Sequence, residues 1–508
     1  MKLTVISDSS TRSVPFQEGL TILDVLREQE GLPVHAPCGG KGTCKKCTVY
    51  IDGEAVLACQ VLAKDGLSVC VTTEDALTVE LDEAKGIVPD AGMPGFGVAV
   101  DIGTTTVAAH LMDLSTGDCV ATLGEGNAQR PYGADVIARI KASMEGKREV
   151  LTQVIRTQLS AMVDALCAKA GVPASGVSKM TVAANTTMCH LLCGLAPDSL
   201  GAAPFTPLSR FGGCYSAEEF GLPFVGEVYV APAVSGYVGG DITADLLACN
   251  LDRANKPVLL IDVGTNGEMA LGCGDHFICC STAAGPAFEG AQISHGMTAA
   301  PGAVSSVEYI DGQLEIGVIG GGEAKGICGS GLIDAVAVML DLGALDETGR
   351  LMDIDEDEDE IPEEALPYLF LTEEEEPAFR LTDSVWVTQA DVRKLQLGKG
   401  AIAAGERILM DSYGVDFDGV GELLLAGGFG SYIRPASAAR IGLIPEELLD
   451  VTRAVGNAAA QGAQIALLQQ EGVRRLAALQ SNMDYLELSG LPAFNSAYME
   501  AMMFPEME

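Results

Sequence analysis

The residues with the clearest chemistry are four thiols. Cys38, Cys44, Cys47 and Cys59 stand in the spacing C-x5-C-x2-C-x11-C, the first three inside CGGKGTCKKC. Gly39, Gly40 and Gly42 reach backbone angles that other residues avoid, so their amide N–H groups can turn toward bound sulfur. Four thiolates bind either zinc or an iron-sulfur cluster. A structural zinc site usually pairs two short knuckles and needs no glycine wrap, so this spacing favours a 2Fe-2S cluster. Two ferric ions, two sulfides and four thiolates sum to a charge of about minus two, one unit lower on reduction. Lys41, Lys45 and Lys46 are therefore placed to favour the reduced cluster or to dock an acidic electron donor. Cys70, eleven residues beyond Cys59, fits no ligand pattern and is expected in the core.

A second chemistry, that of phosphate, is written twice. DIGTTT (101–106) and DVGTNGE (262–268) each set an aspartate at the end of an apolar run, before a glycine-containing polar turn. The N–H groups of Gly103, Thr104, Thr105 and Thr106, and of Gly264, Thr265, Asn266 and Gly267, can clamp the β- and γ-phosphates of ATP from opposite sides. Asp101 and Asp262 can hold Mg2+ through water. Neither turn is a Walker loop, because no G-x4-G-K-[ST] occurs in the chain. Glu268 closes the second turn; a glutamate at a strand end is often only solvated, and a role in positioning water or metal is what the family resemblance described below implies. Asp241, near a helix start, is either a helix cap or a catalytic carboxylate holding a Mg2+-bound water. Gly427, Gly428 and Gly430 let adenine or ribose lie against backbone. Gly329 and Ser330 open a helix whose N-terminus can serve an anion, and the family resemblance described below implies that it joins the nucleotide cleft.

These residues need particular elements beneath them. KLTVIS, a helical period in GLTILDVLREQEG and the hairpin CTVYIDGEAVLAC, turning at Asp52-Gly53, make a small β-grasp domain over 1–80. Residues 81–95 carry glycine and proline without a period and read as a linker. FGVAVDIGTTTVAAHLMD and VLLIDVGTNGEMAL are both strand–turn–strand units, about 160 residues apart, which implies a duplicated fold with facing halves. SGYVGGDITADLLAC and VGNAAAQGAQIALL predict two helices with small faces able to cross closely, as a hinge requires. LLLAGGFGSYI predicts a buried strand entering a turn. The chain is thus an α/β multidomain protein. A first lobe spans 96–250 and a second 251–508, with an acidic insertion at 353–376 and a C-terminal return to the first lobe.

Composition sets outer limits. The chain has 508 residues, 48% of them apolar, enough for several cores. Asp and Glu number 70 against 31 Lys and Arg, a formal charge of -39 that repels nucleic acid and anionic membrane. No apolar run approaches the roughly 20 residues that span a bilayer. The N-terminus lacks a signal-peptide pattern, so the expected location is the cytoplasm. There, cysteines serve as metal ligands or small buried residues, the reading given to Cys279, Cys280 and Cys328. DIDEDEDEIPEE lacks the alternating ligands and central glycine of a calcium loop and reads as solvated surface.

Five elements in this order resemble the actin, sugar kinase and heat-shock chaperone ATPase superfamily, with its phosphate 1, connect 1, phosphate 2, adenosine and connect 2 segments. The N-terminal stretch resembles 2Fe-2S ferredoxins, especially the ferredoxin-type domains of molybdenum hydroxylases. Together with VAANTTMCHLLCGL, CGSGLIDAVAVML and TQADVRKLQLGKGAIAAG, they make the chain similar to reductive activators of corrinoid proteins over nearly its whole length. Its loop before the fourth cysteine and its linker are shorter than is typical there. The resemblance implies a two-lobed actin-like (ribonuclease H-like) ATPase behind the ferredoxin domain. It implies ATP-driven transfer of one electron, from a low-potential donor by way of the cluster, to the cobalt(II) of a corrinoid methyltransferase protein. It also implies a homodimer. Three other readings compete. An activator of the 2-hydroxyacyl-CoA dehydratase type has no ferredoxin domain. A small-molecule kinase with a fused electron-transfer module would turn over ATP strongly with its substrate. A binding module would have lost turnover.

Overall fold

The structure is a computed structural model and describes residues 1–506 except 8–9, 28–46, 52–53, 72–80, 82–85, 358 and 429. Cys38, Cys44, the three loop glycines, the three loop lysines and the Asp52-Gly53 turn therefore lie outside the described residues.

The N-terminal sheet has five strands in the order Ser10–Pro15, Lys2–Ser7, Ser68–Val71, Thr48–Ile51, Glu54–Leu57. Lys2–Ser7 and Ser68–Val71 run parallel; the other pairs are antiparallel. Helix Ile22–Arg27 starts where Thr21 and Asp24 satisfy each other's backbone N–H, Thr21 N to Asp24 Oδ2 at 3.1 Å and Asp24 N to Thr21 Oγ1 at 3.2 Å. It buries Ile22, Leu23, Val25 and Leu26 against Leu3, Val5, Val49 and Val69. Each such side chain contributes about 1.5–3 kcal/mol. Cys70 departs from expectation: it is exposed. In Ser68–Val71 the alternation sends Val69 and Val71 inward and Cys70 out.

Two six-stranded sheets follow. The first runs Gly213–Ser216, Glu227–Val230, Val177–Ala184, Phe96–Ile102, Thr106–Asp113, Cys119–Gly126. The second runs Thr452–Gly456, Glu422–Ala426, Val258–Val263, Gly267–Cys273, His276–Thr282, Met483–Tyr485. In each, an antiparallel three-strand meander is extended by two strands parallel to its first member. The same order in both halves is the duplication that the two Asp-Gly turns imply.

Helices Gly240–Ala248 and Ala458–Leu468 cross between the sheets, and their side chains share one core with Ala99 and Met112 of the first sheet and Leu260 and Leu424 of the second. The crossing is close because Gly462 faces the Ala244 carbonyl, where any Cβ would collide. The segment from Ile87 to Met93 is not a free tether. Asp90 N donates to Leu468 O at 3.0 Å, Gln469 Nε2 to Val88 O at 2.7 Å, and Gln470 N to Asp90 Oδ2 at 2.7 Å. The acidic insertion follows helix Gly329–Asp341 as turns and the strand Leu369–Leu371, and it is pinned to the core by Ile361, Ala365 and Leu369, while its Asp357 pairs with Arg350 just before it at 2.8 Å. Among the described residues no helix is long and apolar enough to cross a membrane.

Candidate functional site: a cleft between two hairpins

The turns of Phe96–Asp113 and Val258–Cys273 face one another. In the first turn, Asn127 Nδ2 donates to Gly103 O at 2.8 Å, and Asn127 N to Thr105 O at 2.8 Å. Thr104 Oγ1 accepts from Asn185 Nδ2 at 3.1 Å, while Asn185 Oδ1 caps helix Thr186–Cys193 through Met188 N at 2.9 Å. Behind this turn lies Arg139, 0% exposed, whose guanidinium donates to Thr104 O and to Gly133 O (3.0 Å). Burial lowers its pKa to about 9, with Arg130 adding; Asp135 and Glu289 oppose. In the second turn Gly264 N donates to Asn266 O at 2.9 Å, and Thr265 O accepts from Gly285 N at 3.0 Å. Gly267 is pressed against Ile402 and Thr282.

One carboxylate spans the two turns. Glu289 Oε2 accepts from Thr105 Oγ1 at 2.8 Å, and its Oε1 accepts from Thr265 Oγ1.

The acids gather at the base. Burial pushes Asp101 up to about 7, opposed by Asn457, whose Nδ2 donates to Asp101 Oδ2 at 2.9 Å. Burial lifts Asp241 to about 6, its Oδ1 accepting from Ile242 N at 2.9 Å. Asp262 rises to about 7 through burial and the charges of Asp241 and Asp101. Glu268 is held well above the usual carboxylate range by burial, then by Asp241 and Asp262, with the Asn266 side chain opposing. Beneath them Asp245, 0% exposed, meets no amide, hydroxyl or cationic donor among the described residues. Its neighbour is the Asp262 carboxylate. Burial, and then the charge of Asp262, hold the Asp245 carboxyl well above the usual carboxylate range. Among the described residues no three carboxylate, thiol or imidazole groups converge closely enough to ligate one metal directly. The acids suit an ion that keeps its waters, as Mg2+ does.

Gly427, at φ +90°, lets the turn after Glu422–Ala426 press on the Asp262 carboxylate; Gly428 is open, and Gly430 packs on Leu425. The Ser330 hydroxyl turns away to Ser305 O at 2.8 Å, and Gly329 seats against the Phe288 carbonyl, one residue before Glu289. Thr106 begins the outgoing strand. Sequence reasoning missed Arg139, Asn185, Asp245, Glu289 and Asn457. The two asparagines stand immediately before helix starts, and Asp245 is one turn after Asp241 on the same helix. Those signals were legible.

At the N-terminal domain, Cys47 and Cys59 are buried and brought together by Ala58 N donating to Cys47 O at 2.8 Å. Arg27 lies beside both thiols and near Tyr132 of the first lobe; burial lowers its pKa, with Asp24, Tyr132 and the two cysteines opposing. Two buried thiols with an adjacent cation fit half of the four-thiolate set that an anionic 2Fe-2S cluster needs; Cys38 and Cys44 lie outside the described residues.

Residues 5–72 match the 2Fe-2S iron-sulfur cluster binding domain family. Residues 96–254 match the RACo middle region, and 256–508 the C-terminal domain of RACo, the ASKHA domain. The class is thus a ferredoxin-type domain fused to an actin-like ATPase, with a 2Fe-2S cluster, ATP and Mg2+ as cofactors. The chain is 31% identical over 565 residues to the corrinoid activation enzyme RamQ of Eubacterium limosum, covering 93% of this chain and 94% of that one. It is 25% identical over 439 residues to the [Co(II) methylated amine-specific corrinoid protein] reductase of Methanosarcina barkeri, covering 80% and 76%. The solved structure of a reductive activator for corrinoid, iron-sulfur protein superposes with a TM-score of 0.74 at 26% identity, covering 100% of this chain and 99% of that one. The chain belongs to this RACo family of corrinoid-protein activators.

Proposed function

We propose that the protein is an ATP-dependent reductive activator that returns the cobalt(II) of a corrinoid methyltransferase protein to cobalt(I). The observation that carries the ATP half of this reading is the meeting of Asp101, Asp241 and Asp262, from both halves of the duplication, beneath threonine hydroxyls that also come from both halves. Cys38, Cys44, Cys47 and Cys59 hold the cluster, which when bound supplies a one-electron relay from a low-potential donor. Thr104, Thr105, Thr106, Thr265 and the neighbouring glycine N–H groups would bind phosphate, and Asp101 and Asp262 would hold magnesium through its waters. Asp241 and Glu268, both with raised pKa values, are placed to take a proton from attacking water. Gly427, Gly428 and Gly430 line the adenosine side. A γ-phosphate held by both turns would tie the two lobes, and its loss would free them to part about the Gly462–Ala244 crossing.

The same reading divides the chain at 1–80, 81–95, 96–250 and 251–508. It places the protein in the cytoplasm as a homodimer that binds neither nucleic acid nor membrane. The test is a time course of the cobalt(I) absorption band with the purified protein, a reductant, ATP and a corrinoid protein encoded nearby. A band that grows only with ATP is expected. Its absence with every neighbouring corrinoid protein would overturn the proposal.

A further inference from the structure

Glu289 ends the short turn Pro286–Glu289, which follows the third strand of the second sheet. Backbone fixes this turn from several sides. Gly285 (φ +81°) donates its N–H to Thr265 O, Gly290 (φ +67°) packs where a Cβ would strike Met297 O, and Gly329 abuts Phe288 O. From that seat the carboxylate divides its two oxygens between Thr105 of one hairpin and Thr265 of the other. The buried Arg139 charge lies behind the first hairpin and is one of the groups Glu289 acts upon.

A threonine hydroxyl has one hydrogen to give. Thr105 and Thr265 therefore cannot donate to Glu289 and to a phosphate oxygen at the same time. A carboxylate also presents two anionic oxygens, as a phosphate does, and repels a triphosphate drawn into the same cleft. We propose that Glu289 is an interlobe latch: a built-in anion that occupies the threonine donors of both hairpins and must be displaced by the phosphates of an incoming nucleoside triphosphate. The latch ties the hairpins together when no nucleotide does. Its displacement carries the news of phosphate binding into the 286–297 loop and the start of helix Gly329–Asp341, which are packed on the same turn. This inference rests on the nucleotide reading of the cleft.

The experiment measures calorimetric binding of Mg2+ with a non-hydrolysable ATP analogue to the full chain, as wild type, Glu289→Gln and Glu289→Ala, with melting curves as a check on folding. Thr105→Val, which removes a donor instead of the competitor, is the counter-variant. The latch predicts about tenfold tighter binding for both Glu289 variants and weaker binding for Thr105→Val. It also predicts faster hydrogen exchange at 103–106 and 264–267 in Glu289→Ala without nucleotide, and wild-type protection with it. Wild-type binding with unchanged or weaker binding by a folded Glu289→Gln overturns the latch alone. No binding by wild type overturns the nucleotide reading, and the latch with it. If Glu289→Ala fails to fold, the isosteric Glu289→Gln decides the matter.

Discussion

The two hairpins share a backbone plan and differ in what stands behind them. The first is backed by donors: Arg139 and Asn185 at Thr104, Asn127 at Gly103, Asn457 at Asp101. The second is backed by acids, with Asp245, Asp241 and Glu268 crowding Asp262. If both turns hold one magnesium nucleotide, as proposed, the donors behind the first favour its phosphates, and the acids around the second add to the pull on the cation that Asp101 and Asp262 share. Fold alone does not dictate that division; the residues packed behind each turn do.

The sharpest break in this comparison is Asp262→Ala, expected to slow phosphate release by about 100-fold or more, whereas Asp101→Asn, already offset by Asn457, costs about tenfold. Equal losses in a phosphate-release assay would erase the distinction. Next comes Arg139→Met, which leaves the Thr104 and Gly133 carbonyls without their buried donor. It should lower unfolding free energy by about 2–4 kcal/mol in urea titrations and weaken magnesium-nucleotide binding about tenfold. Unchanged affinity in a folded variant would show that the first turn needs no cation behind it.

Gly462→Ala probes the joint between the two hairpins. Its new methyl must push on the Ala244 carbonyl, so a loss of about 1–3 kcal/mol and a few-fold slower hydrolysis are expected from melting and turnover measurements. The smallest effect is in pH. Asp101 and Asp262, pushed up to about 7, and Asp241, to about 6, bind protons more tightly folded than unfolded, where aspartate titrates near about 3.9. Their contribution is whole below that value and is lost as pH rises through about 6 to 7. The magnesium-free protein should therefore melt a few degrees higher at pH 5 than at pH 8. Asp262→Asn should flatten that slope, as should Mg2+ with nucleotide. A wild-type slope of opposite sign, or one that Asp262→Asn leaves intact, would place these acids outside the shared cluster.

Much of this was legible in the chain itself. The two strand–Asp–Gly units, the small-faced helices and the cysteine hairpin are local patterns, and each needs only its own neighbours to be recognised. Arg139 and Glu289 were not legible. Each is a single charge in a stretch without a functional motif, and each meets the cleft only when distant segments are folded onto it. Cys70 was misread for a different reason. Its lack of a ligand spacing suggested burial, yet the alternation of Ser-Val-Cys-Val already turned it outward.

The segment around Asp90 leads from the N-terminal domain toward the first hairpin, and it is fastened at Leu468, Gln469 and Gln470, the tail end of the helix that crosses over Ala244. A rod clamped to an axle turns when the axle turns. Rotation of that helix, whatever triggers it, would carry Val88 and Asp90 with it, so the point from which the N-terminal domain hangs moves with a helix more than 350 residues further along the chain.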